Sequence, residues 1–156
     1  MRALVWNCRG VGSPLTVPQI EESVKLHSLE LIFLSETKNK KEIMNRVRLK
    51  LRYDRMVVVD PIGIAGGMAV MWRNDLKVCQ ILCTDFTIKV LLEKTGARDR
   101  WWLICLYASS EDLLREKQWR IIEDRMSGWG QKWVLAGDMN DILSNDEKWG
   151  RGELEA

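Results

Sequence analysis

The stretch between Gly66 and Tyr107 constrains the fold most, because four short apolar runs follow one another there with only turn residues between them. Met68-Ala69-Val70-Met71-Trp72 opens after the Gly66-Gly67 pair and stops at Arg73-Asn74-Asp75. Residues 77–82 and 86–93 are separated by Thr84-Asp85, and Thr95-Gly96-Ala97-Arg98-Asp99 turns the chain into residues 101–107. Runs of this length, split by Gly, Asn, Asp and Thr, read as strands with hairpin-like connections. Strands joined this tightly pair antiparallel, since a parallel pair needs a crossover of a dozen or more residues. A doubly wound nucleotide-binding sheet, with helical crossovers throughout, is disfavoured.

On either side, strands and helices alternate, which makes the class α/β. Residues 2–7 predict a strand, and the loop Cys8-Arg9-Gly10-Val11-Gly12-Ser13-Pro14 is glycine-rich without the spacing of either common phosphate-loop motif. Thr16 with Gln19 predicts a capping box, and Ile20, Val24 and His27 then share one helical face. His27, the one histidine, reads as a partly buried helix residue rather than a catalytic base. Residues 29–34 form a second apolar run, ending in Ser35-Glu36-Thr37. Residues 40–51 predict a basic amphipathic helix with Ile43, Val47 and Leu51 as its buried stripe. Residues 56–59 predict a strand stopped by Asp60-Pro61. Residues 111–129 predict a helix with Trp119, Ile122, Met126 and Trp129 turned inward. Residues 132–135 predict a short buried strand, ended by the turn Gly137-Asp138-Met139-Asn140. From Ser144 to Ala156 the chain is polar and predicts no further element. The expectation is one domain over residues 1–156.

A net charge of +2 is too small to announce nucleic acid, and a solvated helix face explains the cationic clusters at residues 38–41 and 46–55. No apolar run approaches a membrane span, and the start of the chain lacks a signal-peptide pattern. Cys8, Cys79, Cys83 and Cys105 lie mostly within apolar runs. That predicts packed, reduced thiols and an intracellular setting, nucleus or cytoplasm. With one histidine and no zinc-finger spacing, a structural zinc site is improbable.

The informative residues are polar groups at strand ends: Asn7, Glu36, Tyr107, and Asp138 with Asn140. Gly137 lets the backbone turn sharply enough to present the last two. Asp138 suits a metal or an oriented water and Asn140 a phosphate oxygen, although both are also ordinary turn formers. Glu36 suits a helix cap or a metal ligand. Tyr107 either sits at the sheet's rim or donates to a phosphate.

In this order and with these separations, the chain resembles the endonuclease/exonuclease/phosphatase superfamily. Within it, the likeness is to apurinic-type endonuclease domains of plant non-LTR (LINE-type) retrotransposons. The matching motifs are Trp6-Asn7-Cys8-Arg9-Gly10, Phe33-Leu34-Ser35-Glu36-Thr37-Lys38, Gly66-Gly67-Met68-Ala69-Val70-Met71-Trp72 and Gly137-Asp138-Met139-Asn140-Asp141-Ile142-Leu143, with Glu147-Lys148 after them. The resemblance implies a four-layer α/β/β/α sandwich of the DNase I-like type, incomplete at its C-terminal end, in which strand ends of both sheets line a cleft where DNA is cut with Mg²⁺ (or Mn²⁺). It implies Glu36 as metal ligand, Asn7 holding the metal-binding carboxylate or the phosphate, and Tyr107 contacting the phosphate. Asp138 would orient the attacking water, and Asn140 would stabilise the pentacoordinate phosphorus.

The departures carry expectations too. The family's last motif, a Ser-Asp-His, does not occur before Ala156, so the chain is expected to be an N-terminal portion that does not cut DNA appreciably by itself. Uncovered sheet surface is expected to favour self-association. Met139 stands where phenylalanine is common, and Arg9 where related repair enzymes carry a second acidic residue, which loosens the implied metal site. The competing expectations are a non-catalytic retrotransposon remnant with weak metal or nucleic-acid binding, and a phosphatase of the same fold acting on a small phosphoester or phospholipid head group.

Overall fold

The computed structural model describes residues 1–141; Ile142, Leu143, the Glu147-Lys148 pair and the polar stretch 144–156 lie outside the described residues. In chain order the elements are β1 (Ala3–Asn7), α1 (Thr16–His27), β2 (Leu31–Ser35), α2 (Lys41–Leu51), β3 (Arg55–Val59) and β4 (Met68–Trp72). Then come β5 (Val78–Cys83), β6 (Thr87–Glu93), β7 (Arg100–Tyr107), α3 (Asp112–Met126) with a 3₁₀ turn (Ser127–Trp129), and β8 (Trp133–Asp138). Among the described residues the strands form two four-stranded sheets, ordered β1-β2-β4-β3 and β5-β6-β7-β8. In the first, β1 and β2 run parallel while β4 is antiparallel to both β2 and β3. In the second, β5, β6 and β7 are antiparallel neighbours and β8 runs parallel to β7.

The burial pattern explains the layering. Every residue of β2 and β4 is buried, as expected of central strands covered on both faces. Ile32, Leu34, Ala69 and Met71 face one way and pack with Ile20 and Val24 of α1 and with Met44, Val47 and Leu51 of α2. Their alternates Leu31, Phe33, Met68 and Val70 face the second sheet and pack with Ile88, Val90, Leu92, Leu103 and Cys105. The far face of that sheet buries Ile104 and Leu106 against Ile122 and Trp129. Period-two alternation in the strands meeting a helical stripe on each outer face gives the four layers α/β/β/α, the DNase I-like arrangement. Large side chains with no exposed surface, Phe33 and Met44 among them, each stabilise the stack by about 1.5–3 kcal/mol.

Several sequence expectations need correction. The turn after Trp72 is not a hairpin. β4 already has β2 on one edge and β3 on the other, so the next strand cannot pair with it, and β5 instead starts the second sheet. β8 is longer than expected and, at the edge of the sheet among the described residues, not buried: it runs through Asp138, and Val134 is half exposed. The Thr16–Gln19 capping box does not form. Thr16 is instead the first helical residue, buried, and no side chain caps the helix. On α2 the inward stripe is Met44, Val47 and Leu51, and Ile43 points outward, because seven residues close two turns whereas strict spacing by four drifts around the helix. His27, in the last turn of α1, is exposed. Of the cysteines, Cys8 and Cys105 are buried, but Cys79 and Cys83 on the edge strand β5 are exposed. No helix among the described residues is long and apolar enough to cross a membrane.

Candidate active site

Parallel pairing sets the site. The β1–β2 register places Asn7 opposite Ser35, so Asn7 and Glu36 leave their sheet at the same end. The β7–β8 register places Tyr107 opposite Asp138 in the other sheet. These two ends meet. Asn7 Nδ2 donates to Asp138 Oδ2 at 2.5 Å, and Tyr107 OH donates to Glu36 Oε1 at 3.0 Å. Each sheet therefore contributes one carboxylate and one donor, and each bond crosses between sheets.

Backbone hydrogen bonds hold these groups in place, in a strained conformation. Glu36 itself has φ of 50°, in the left-handed region that a glutamate enters only when its surroundings insist. The surroundings are explicit: Gly10 N donates to Glu36 O at 2.7 Å, Thr37 N to Gly67 O at 3.2 Å and Lys38 N to Gly66 O at 2.9 Å. A Cβ on Gly67 would lie 2.4 Å from Thr37 Oγ1, so the Gly66-Gly67 pair is what lets this turn close. Gly137 is needed for a similar reason, since a Cβ there would lie 1.8 Å from Leu106 O. Beyond it, Asn140 also has positive φ, 45°. Its N–H donates to Asp138 Oδ1 at 3.0 Å, and its side-chain Nδ2 donates to Ala108 O at 2.6 Å.

Both oxygens of Asp138 are thus engaged by protein donors, Asn7 Nδ2 and Asn140 N. Among the described residues none donates a hydrogen bond to Glu36 Oε2, and Lys38 Nζ is 4.0 Å away. A hard cation such as Mg²⁺ takes one or two carboxylate oxygens and retains several waters, and Glu36 fits that demand. A cage made wholly of protein does not occur, since no group of three or more His, Cys, Asp or Glu suited to a metal stands among the described residues. Glu36 is no helix cap, because α2 begins after Lys40, and the carboxylate at that helix start is Asp60, whose Oδ1 accepts from Lys41 N at 3.0 Å. The Tyr107 phenol is pushed up to about 12, first by burial, then by its bond to Glu36 and by the charges of Glu36 and Asp138. It remains a donor at any ordinary pH. Burial likewise pushes the neighbouring Cys8 thiol up to about 11, leaving it inert as a nucleophile.

His27 is at the other end of the sheet, where its carbonyl accepts from Arg2 just before β1. Two supporting residues escaped the sequence reading. Buried Gln118 accepts from Ser109 N at 2.8 Å, and Arg115 reaches both Ser109 O at 3.3 Å and Asp141 at 3.4 Å, so α3 braces the loop after Tyr107. A glutamine and an arginine within a helix carry no sequence signal of such a role.

The sequence matches the model of the Endonuclease/Exonuclease/phosphatase family over residues 4–154. The chain belongs to that family. Among curated proteins none matches. Solved structures with this fold include D. rerio TDP2 complexed with a single-strand DNA product, 15% identical, with a TM-score of 0.64 over 90% of this chain and 60% of that one. An endonuclease/exonuclease/phosphatase family protein from Bacteroides thetaiotaomicron is 13% identical, with a TM-score of 0.66 over 88% of this chain and 62% of that one. The human Nocturnin catalytic domain with a bound sulfate is 12% identical, with a TM-score of 0.63 over 91% and 64%. At such identities the likeness is one of fold, and the chain spans 60–66% of the length of the two D. rerio TDP2 chains.

Proposed function

We propose that this chain, as one domain over residues 1–156, carries the phosphate- and cation-binding part of a phosphodiesterase site that acts on DNA. The observation that carries the reading is the pair of bonds between sheets, Asn7 to Asp138 and Tyr107 to Glu36, which gather two carboxylates and two donors at one edge. Within the family, the motifs around Asn7, Glu36, Gly67 and Asp138 favour the apurinic-type endonucleases of plant non-LTR retrotransposons and an intracellular setting, nucleus or cytoplasm. DNA in a structure of the same fold supports the substrate class.

Glu36 would hold Mg²⁺ or Mn²⁺, which when bound neutralises charge building on the phosphate. The protein's own groups would do the rest. Tyr107, locked as a donor, would turn from Glu36 toward a phosphate oxygen. Asp138, held by Asn7 and by the Asn140 N–H, would accept a hydrogen bond from the attacking water and fix its direction. Asn140 has a second amide hydrogen to offer a charged oxygen on the pentacoordinate phosphorus. The one histidine lies at the opposite end of the sheet, and an acid–base group of that kind is worth about 10²–10⁴ in rate. Residues 1–156 alone are therefore expected to bind cation and phosphate but to cut slowly at best.

Titration with Mn²⁺, followed by loss of the free-ion electron resonance signal, tests the reading on the parent and on Glu36→Gln. Weak binding abolished by the substitution is expected. Equal binding by both proteins would sink the cation assignment. Plasmid nicking with Mg²⁺ completes the test: strong nicking that vanishes in Asp138→Ala would refute the expected slowness, while faint nicking equal in both leaves the non-catalytic remnant reading standing.

A further inference from the structure

Ile62 and Ile64 are 85% and 91% exposed, more than any other large apolar residue among those described. They flank Gly63, whose φ of 63° makes the tip of the loop between β3 and β4. Below the tip the loop is tied at every step. Ile62 and Ala65 exchange backbone hydrogen bonds at 3.2 and 3.3 Å, Asp60 is fixed to the start of α2, and Gly66 and Gly67 accept from Lys38 and Thr37. The isoleucines thus stand on a stiff stem, so little conformational entropy remains to be lost when they contact something.

The stem is also part of the proposed site. It is the segment that pins the Glu36 turn, and a Cβ built on Gly66 would be 4.0 Å from the Tyr107 ring. Ile64 lies two residues from Gly66, hence within about 7 Å of it. Arg9 and Lys38 are exposed nearby, Arg9 two residues beyond Asn7 and Lys38 bonded through its N–H to Gly66 O. A ligand at this edge therefore meets a phosphoester site, cations and a projecting aliphatic tip together.

Resting on the phosphodiesterase reading, we propose that Ile62 and Ile64 form a wedge that enters a DNA duplex beside the bound phosphate and pries apart a base step. Branched aliphatic side chains serve this purpose where proteins kink DNA, and an unstacked or flexible step admits them most cheaply. Nucleic acid is the occupant that offers phosphates and apolar base faces a few ångströms apart. Two side chains are too small an area for a stable protein interface, which takes roughly 800 Å² per partner. The tip would thus set preference for distorted sites, whereas the polar strand ends would not distinguish them.

Fluorescence anisotropy with the whole chain and Mn²⁺ tests this on two labelled duplexes, one fully paired and one with a single unpaired base. The parent is expected to hold the unpaired-base duplex about tenfold more tightly, the scale of one base-stacking contact. Ile62→Ser with Ile64→Ser should erase the preference but keep binding to the paired duplex and to Mn²⁺, and Ile62→Val with Ile64→Val should retain most of it. Because both side chains face solvent, neither pair threatens folding. Equal affinity of the parent for both duplexes overturns the wedge and leaves the phosphodiesterase reading intact. So does a preference that survives in the double serine variant. Binding to neither duplex, with Glu36-dependent Mn²⁺ binding preserved, overturns the wedge and the choice of DNA as substrate but leaves the cation site; loss of both overturns the whole underlying reading. Tip-dependent binding to anionic phospholipid vesicles in place of DNA would also overturn it.

Discussion

Asn7→Asp should convert the bond that joins the two sheets into a pH-dependent repulsion. In the parent, the Asn7 amide meets Asp138 Oδ2 at 2.5 Å. The substitution keeps the shape but sets one carboxylate oxygen against another. At about 3 Å and an effective dielectric constant near 20, two such charges repel by about 5–6 kcal/mol. The protein has a cheaper escape, which is to keep one of the pair protonated. At pH 7, holding an ordinary carboxyl neutral costs about 4 kcal/mol, from 1.36 kcal/mol for each of roughly three pH units. The side chains are only part-buried, so the expected loss is smaller, about 2–3 kcal/mol of unfolding free energy. The sign follows from the shared proton. In the folded variant one carboxyl has its pKa raised by its neighbour, so the folded state binds more protons than the unfolded chain, and stability falls as pH rises. Near pH 4.5 the penalty should shrink to about 1 kcal/mol. Urea unfolding followed by tryptophan fluorescence, at both pH values, reads the difference. Asn7→Ala is the control, losing about 1–2 kcal/mol with little dependence on pH. Adding Mn²⁺ at pH 7 should recover part of the loss in Asn7→Asp, because two adjacent carboxylates hold a cation better than one. If Asn7→Asp and Asn7→Ala lose the same amount at both pH values, the two side chains are not in contact and the site is wrongly assembled.

Gly137→Ala should be among the most damaging single changes, about 3 kcal/mol or more in the same assay, because its Cβ would start 1.8 Å from Leu106 O and could only fit if β8 moved off β7. A change within about 0.5 kcal/mol of the parent would contradict that register. Both tyrosines of the chain, Tyr53 and Tyr107, are pushed up to about 12, so an absorbance titration of the folded protein should stay flat through pH 10, where the urea-unfolded chain ionises. The stability tied to these phenols is whole below about pH 10 and is lost as pH rises toward 12. In Glu36→Gln one of the two phenols should ionise earlier, and an unchanged curve would mean that Tyr107 does not bond Glu36.

Local signals carried the sequence reading far. Apolar runs bounded by turn residues located the strands, and helical stripes located the helices. Glycines whose Cβ would collide, Gly67 and Gly137, stood in the motifs because nothing else fits there. What local pattern could not show was which strand pairs with which. The short turn after Trp72 looks like a hairpin, and only the occupancy of both edges of β4 forbids one. Val134 and Ile43 are exposed for a related reason. Apolar side chains on an edge strand or a helix flank have no partner assured by their own segment, and burial there is decided by elements distant in sequence. Asp60 does stop β3, and it also supplies the hydrogen bond at the start of α2, nineteen residues earlier, a long-range choice that no window of sequence contains.

The same distinction explains why the polar strand ends were legible as a group before their geometry was known. Each sheet contains one parallel pair among the described strands, β1 with β2 and β7 with β8; the remaining pairings are antiparallel. Antiparallel neighbours send consecutive strand ends to opposite edges, which suits a scaffold. A parallel pair sends two C-terminal ends to one edge, which suits a site. Each parallel pair also requires a crossover, and helices provide both, α1 between β1 and β2 and α3 between β7 and β8. The strand-helix-strand order around Asn7 and Glu36, and again around Tyr107 and Asp138, therefore specified two pairs of converging ends from sequence. Bringing those pairs face to face fell to the buried interior between the sheets, where Phe33 and Val70 meet Val90 and Leu103. A variant that weakens that interior should loosen the Asn7–Asp138 and Tyr107–Glu36 bonds together, since the packing between sheets is what holds both at bonding distance.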